Sequence, residues 1–122
     1  IIRLLLAHPD INVNKSFAGR HTPLTRSIKK YNKTSIEILL SHKDIDINKT
    51  GDRDRTPLIM AILSRNRYLT KMLLSPEDID INKMAQGGTA LDTASYSDDH
   101  FSTRMLLSLP EVEIQTSEFR RD

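Results

Sequence analysis

Residues 56–74 read TPLIMAILSRNRYLTKMLL, and the same phrasing occurs twice more in the chain. Thr56-Pro57-Leu58 is matched by Thr22-Pro23-Leu24 before it and Thr89-Ala90-Leu91 after it, the threonines lying 34 and then 33 residues apart. Seventeen residues after each threonine a leucine pair begins: Leu39-Leu40, Leu73-Leu74 and Leu106-Leu107. Eight residues after each pair stands an amide: Asn48, Asn82 and Gln115. Leu5-Leu6 followed by Asn14 puts the opening segment in the same register. Three spacings held together along the chain define an internal repeat.

Each part of the repeat has a physical reading. A threonine before proline starts a helix, because its hydroxyl accepts from a free backbone N–H and proline at the first position gives up no needed donor. The spacing predicts a first helix over 23–31, 57–65 and 90–97. A small residue five places after each threonine (Ser27, Ala61, Ala94) suits a close helix crossing. A second helix carries apolar residues on one face: Ile36, Ile38, Leu39 and Leu40, then Leu69, Met72, Leu73 and Leu74, then Phe101, Met105, Leu106 and Leu107. Beyond it the pairs Ile11/Val13, Ile45/Ile47, Ile79/Ile81 and Val112/Ile114 alternate with polar residues, the pattern of an extended tail. Lys49-Thr50-Gly51-Asp52 and Met84-Ala85-Gln86-Gly87-Gly88 then supply turn chemistry.

Composition narrows the class. With 122 residues, 38% hydrophobic and 28% charged, the chain suits one packed domain. Its apolar runs, such as Leu4-Leu5-Leu6-Ala7, are far short of a membrane span. No cationic segment with an apolar stretch and cleavage site opens this stretch. Zero cysteines removes disulfides, thiolate metal sites and thiol nucleophiles. The net charge of +2 is unevenly placed. Up to Arg67 thirteen Lys/Arg face six Asp/Glu, a surplus of seven, and from Tyr68 five face ten, a deficit of five. Such asymmetry can steer a charged partner.

These elements together resemble the ankyrin repeat, from Ile1 to about Thr116. The resemblance implies an all-α solenoid of stacked helix-turn-helix units with β-turn fingers. On this register 1–14 holds the second helix and tail of a truncated repeat. Full repeats occupy 15–48, 49–82 and 83–115, and 116–122 begins another finger. The expectation is therefore a window of a longer array, near the roughly three repeats that a stable stack needs, without polar caps at its ends. Departures from the family pattern fall after Thr-Pro-Leu, where Thr25, Ile59 and Asp92 replace the usual histidine. Asp92 is expected to close a capping box with Thr89.

The resemblance also implies function: a non-catalytic protein–protein interaction module, a scaffold or targeting surface in an intracellular, cytoplasmic protein. The alternatives are a regulatory or spacer array beside a catalytic or signalling domain and, with less support, a non-specific nucleic-acid surface. Family binding positions map onto Ser16, Gly19, His21, Lys29 and Lys30, then onto Asp52, Arg53, Arg55, Leu63 and Ser64, and last onto Lys83, Gln86, Tyr96 and Ser97. From these the site prediction takes His21, Lys29, Lys30, Asp52, Arg53, Arg55, Leu63, Gln86 and Tyr96. Leu63 and Tyr96 are the apolar and aromatic anchors, ringed by charge as at interface hot spots. The partner expected is a protein, with acidic groups facing Lys30, Arg53 and Arg55.

Other chemistry finds little footing in these residues. His8, His21, His42 and His100 lack the spacing of convergent metal ligands, so no metal or cofactor is expected. Asp44/Asp46 and Asp78/Asp80 recur at repeat spacing, as the polar side of the tail. No nucleophile, base and orienting group converge, and no small-molecule substrate or membrane contact is implied. Gln86-Gly87-Gly88-Thr89 falls at a repeat finger, not in a phosphate loop. Asn14-Lys15-Ser16, Asn32-Lys33-Thr34 and Asn48-Lys49-Thr50 form sequons whose asparagines read as turn and helix-start residues. Arg26, Lys29, Lys30 and Lys33 form a basic strip near Arg53 and Arg55 with only Tyr31 to stack a base, which argues against nucleic acid.

Overall fold

The computed structural model describes residues 12–16, 20–85 and 87–112. Among these residues six short α-helices follow in pairs: α1 (Pro23–Lys30) with α2 (Lys33–Leu40), α3 (Pro57–Leu63) with α4 (Arg67–Leu74), and α5 (Ala90–Tyr96) with α6 (His100–Leu107). No strand occurs among the described residues. The repeats expected at Leu5-Leu6 and Gln115 fall outside them, as do Gly19 and Gln86.

Helices of seven or eight residues are marginal by themselves, so local caps and tertiary packing hold them. All six have a side-chain N-cap. Thr22, Thr56 and Thr89 cap the first helix of each pair, accepting from Thr25, Ile59 and Asp92 backbone N–H groups. Asn32, Asn66 and Asp99 cap the second helices in the same way. The expected Thr89–Asp92 capping box is present. A second box, unforeseen, joins Thr22 to Thr25, whose Oγ1 accepts from the Thr22 N–H at 2.9 Å. The first helices end at Lys30, Leu63 and Tyr96, one or two residues before the predicted ends. The chain turns there through left-handed Tyr31, Arg65 and Asp98 (φ 47°, 57° and 53°). None is glycine, the residue that suits this conformation best.

Two layers result. In the inner layer α1 packs on α3 and α3 on α5, while α2, α4 and α6 back onto their own partners as an outer layer. The small residues work as anticipated at Ala61 and Ala94, both fully buried. The core runs continuously between the layers through Leu24, Ile28, Ile36, Leu39, Leu58, Ile62, Leu69, Leu73 and Leu106. At about 1.5–3 kcal/mol for each large side chain withdrawn from water, burial dominates the stabilisation.

In the tails Ile45-Asp46 and Ile79-Asp80 link two tight turns, the second at Ile47-Asn48 and Ile81-Asn82. Ile45 donates back to the His42 carbonyl, and Lys49 back to Asp46. The turns are held by an asparagine ladder between repeats. Asn14 Nδ2 donates to the Asp44 carbonyl (2.8 Å) and its Oδ1 accepts from the Asp46 N–H (2.7 Å). One repeat on, Asn48 Nδ2 donates to Asp78 (2.9 Å) and its Oδ1 accepts from Asp80 (2.7 Å). Asn82 continues the ladder to the Glu111 carbonyl. Lys49 and Lys83 donate from Nζ to the Asn14 and Asn48 carbonyls, each at 2.8 Å.

Candidate functional site

Fingers and inner helices share one side of the stack. The second finger is folded tightly by its own backbone: Gly51 N–H donates to the Arg55 carbonyl (2.9 Å) and Asp54 N–H to Gly51 (3.1 Å). Between them Arg53 and Asp54 are both left-handed (φ 60° and 57°), which puts Arg53 at the tip of a sharp turn. Gly51 is required by proximity. A Cβ there would lie 2.5 Å from Thr25 Oγ1 and 3.0 Å from His21 Nδ1, inside contact distance. The third finger is one residue shorter, which accounts for the 33-residue spacing, and closes by a pair of hydrogen bonds between Ala85 and Gly88.

Five of the nine predicted residues come together. His21, Lys29, Asp52, Arg53 and Arg55, with Met60, line a hollow of about 230 Å³ between α1, α3 and the second finger. Arg20 crosses from the neighbouring finger and grips Asp52 with two bonds, Nε to Oδ1 at 3.2 Å and a terminal nitrogen to Oδ2 at 3.3 Å. That hydrogen bonding holds the Asp52 carboxyl below the usual carboxylate range. Lys29, Arg53 and Arg55 make no ion pair among the described residues.

His21 lies at the floor. Its Nδ1 is 3.1 Å from Thr25 Oγ1, and its Nε2 is buried without a hydrogen-bond partner. Burial, followed by the positive charge of Lys29, lowers its pKa, with Arg20 and Arg26 adding to the effect and Asp52 opposing it. Neutral imidazole is therefore favoured in a basic setting.

The remaining predicted residues lie elsewhere. Lys30 is exposed on the last turn of α1 and does not line the hollow. Leu63 and Tyr96 hold the same register position as Lys29, seven residues after their threonines, so the three form a line along successive inner helices. Leu63 is 41% exposed and Tyr96 76%, the most exposed large apolar side chain among the described residues. Gln86 lies outside the described residues. Lys83, a family binding position by register, is engaged by the Asn48 carbonyl, and the Ser97 carbonyl accepts from Arg65.

Sequence reasoning missed a hollow of about 570 Å³ on the outer layer, lined by Arg67, His100, Phe101, Arg104, Met105 and Ser108. The signal was present as cations and aromatics at adjoining register positions. Lys33 lies 4.9 Å from the Tyr68 ring, and Arg67 and Lys71 lie 4.7 and 5.8 Å from that of Phe101. Such contacts tie neighbouring second helices together, so Arg67 and the Phe101 face, both in the lining, already serve the stack. Among the described residues no three His, Asp or Glu form a metal-ligand group, and no helix is long and apolar enough to cross a membrane.

Paired helices, stacked in register and joined by finger turns, define an α-solenoid repeat protein. A family model described as ankyrin repeats in three copies matches residues 1–85, and the chain belongs to that family. Ankyrin repeats are in general non-catalytic protein–protein interaction modules. No curated protein matches the chain.

Proposed function

We propose that the finger and inner-helix side of this stack docks a partner protein that carries acidic groups, as a scaffold or targeting surface in an intracellular protein. The observation that carries the reading is the hollow at the second finger, where Lys29, Arg53 and Arg55 converge and make no ion pair among the described residues. Beside it Leu63 and Tyr96 offer apolar area in line with Lys29. A charged rim next to a rigid apolar anchor is how interface energy is commonly concentrated. The backbone bonds of the second finger lower the entropy lost on docking. A fold without cysteine needs no oxidising compartment.

The test compares proteins retained from a lysate of the source cells at near-physiological salt by the native chain and two variants. One carries Lys30→Glu, Arg53→Glu and Arg55→Glu, the other Leu63→Ala and Tyr96→Ala, each first shown to be folded by circular dichroism. A partner held by the native chain and lost by both is the expected result. Equal retention by all three moves the interface off this side and overturns the reading. A partner lost only by the charge variant, with binding falling steeply as salt rises, would mean non-specific attachment of a polyanion.

A further inference from the structure

We propose that the hollow between α1 and the second finger receives a phosphorylated side chain of the partner segment, an inference that rests on the docking reading above. Three cations from two elements line one small space: Lys29 from α1, and Arg53 and Arg55 from the finger. The one acid in the lining, Asp52, has both oxygens engaged by Arg20 from the neighbouring finger, so it offsets little of that charge. A carboxylate brings one negative charge and leaves most of the surplus uncompensated. A phosphoryl group brings about −1.5 to −2 and three strong acceptor oxygens. Two guanidinium forks and an ammonium supply three donor groups for those three acceptors.

The site is largely formed in advance. Arg53 lies in the left-handed turn, and Arg55 directly follows it, in a finger closed by its own backbone bonds. Gly51 lets that finger sit against Thr25 and His21 with no room for a side chain between them. His21 has its Nδ1 at Thr25 and its Nε2 buried, so it acts as a reporter and not as a ligand. An anion arriving beside Lys29 and Arg53 screens the positive field that disfavours imidazolium, and the His21 ring then takes up a proton more readily.

The experiment uses the 122-residue chain and three synthetic peptides of one neutral sequence, with serine, glutamate or phosphoserine at the centre. Amide and histidine-ring NMR signals are followed at roughly 0.15 M salt, where weak surface attraction is screened. The phosphoserine peptide should shift the signals of Gly51, Asp52, Arg53, Arg55 and Lys29 saturably, and should bind at least about tenfold more tightly than the glutamate peptide, as charge-assisted bonds permit. The His21 midpoint should rise with it. Arg53→Gln with Arg55→Gln should remove that preference while keeping the native amide pattern elsewhere.

Equal affinity for the glutamate and phosphoserine peptides overturns the proposal, as does a preference that survives in the double variant. Inorganic phosphate binding as tightly as the phosphoserine peptide would make this a site for the free ion, and so also overturns it. Phosphatase treatment separates this proposal from the docking reading on which it rests. A captured partner released by phosphatase supports both. A partner retained through the treatment, at a surface still sensitive to Leu63→Ala and Tyr96→Ala, overturns the phosphoryl proposal and leaves the docking reading standing. Binding of the phosphoserine peptide without any captured partner supports the chemistry of the hollow and removes the docking reading alone.

Discussion

Along the tail edge of the stack Asn48 uses both ends of its amide on the next repeat, and Lys83 reaches back to the Asn48 carbonyl. Along the finger edge Lys29, Arg53 and Arg55 face one hollow and make no ion pair among the described residues, and His21 Nε2 has no partner there. Both edges carry polar residues, but only the first repeats them: Asn14, Asn48 and Asn82 recur, whereas Lys29 shares its register position with Leu63 and Tyr96. On the first, polarity is matched between repeats and holds them in register. On the second, it is left available. A polar group whose hydrogen bonds are all made within the fold is read as structural, and a convergence of unpaired cations on a braced turn is read as a place for a ligand.

The sharpest way to break this comparison is at the ladder. Replacing Asn48 with Ala removes two inter-repeat hydrogen bonds and leaves the Asp78 carbonyl and Asp80 N–H to water. The expected loss is about 1–3 kcal/mol, read from the urea midpoint, with the slope watched for loss of cooperativity between repeats. An unchanged midpoint would reduce the ladder to a passive consequence of helix stacking.

A smaller effect should come from acid. The folded state disfavours protonated His21, so between the ordinary imidazole value of about 6.5 and its lowered folded value the unfolded chain binds more protons. Its contribution is thus intact above that ordinary value and is lost as pH falls through the window. The groups that bear on the ring are Lys29, Asp52, Arg20 and Arg26. Asp52 behaves alike at lower pH: held down by Arg20, it stabilises above the ordinary carboxylate value of about 3.9 and ceases to do so as acid protonates it. Thermal melts from pH 7 to pH 5 should fall for the native chain and flatten for His21→Gln. A parallel fall in both would assign the slope to other groups.

The least effect on stability is expected where the effect on binding is greatest. Arg53→Gln with Arg55→Gln should move the urea midpoint by no more than about 0.5 kcal/mol equivalent. A loss as large as that of Asn48→Ala would make the two arginines structural and erase the difference between the edges.

Much of this molecule was legible because its local chemistry repeats. Thr22, Thr56 and Thr89 cap helices where the Thr-Pro-Leu spacing put them, and Leu39, Leu73 and Leu106 are buried as the apolar stripe required. Asn32 starts a helix as its position suggested. The alternation at Ile45/Ile47 and Ile79/Ile81 marked where each tail leads into its second turn. Asn14 and Asn48 were seen as turn residues, while their bonds to the following repeat lie at separations of 30 and 32 residues, beyond any local pattern.

The sequence by itself determined the repeat, the helix starts, the buried stripe and the family, since each depends on residue type and spacing within one turn or one repeat. Tertiary structure decided which polar groups are free. Asp52 and Arg53 are neighbours in the chain, yet Asp52 is engaged by Arg20 while Arg53, at the tip of a left-handed turn, has no ion pair among the described residues. Lys29 and Lys30 are neighbours too, and only Lys29 lines the hollow. Helical rotation separates adjacent side chains by about 100°, and contact with the next finger selects between them.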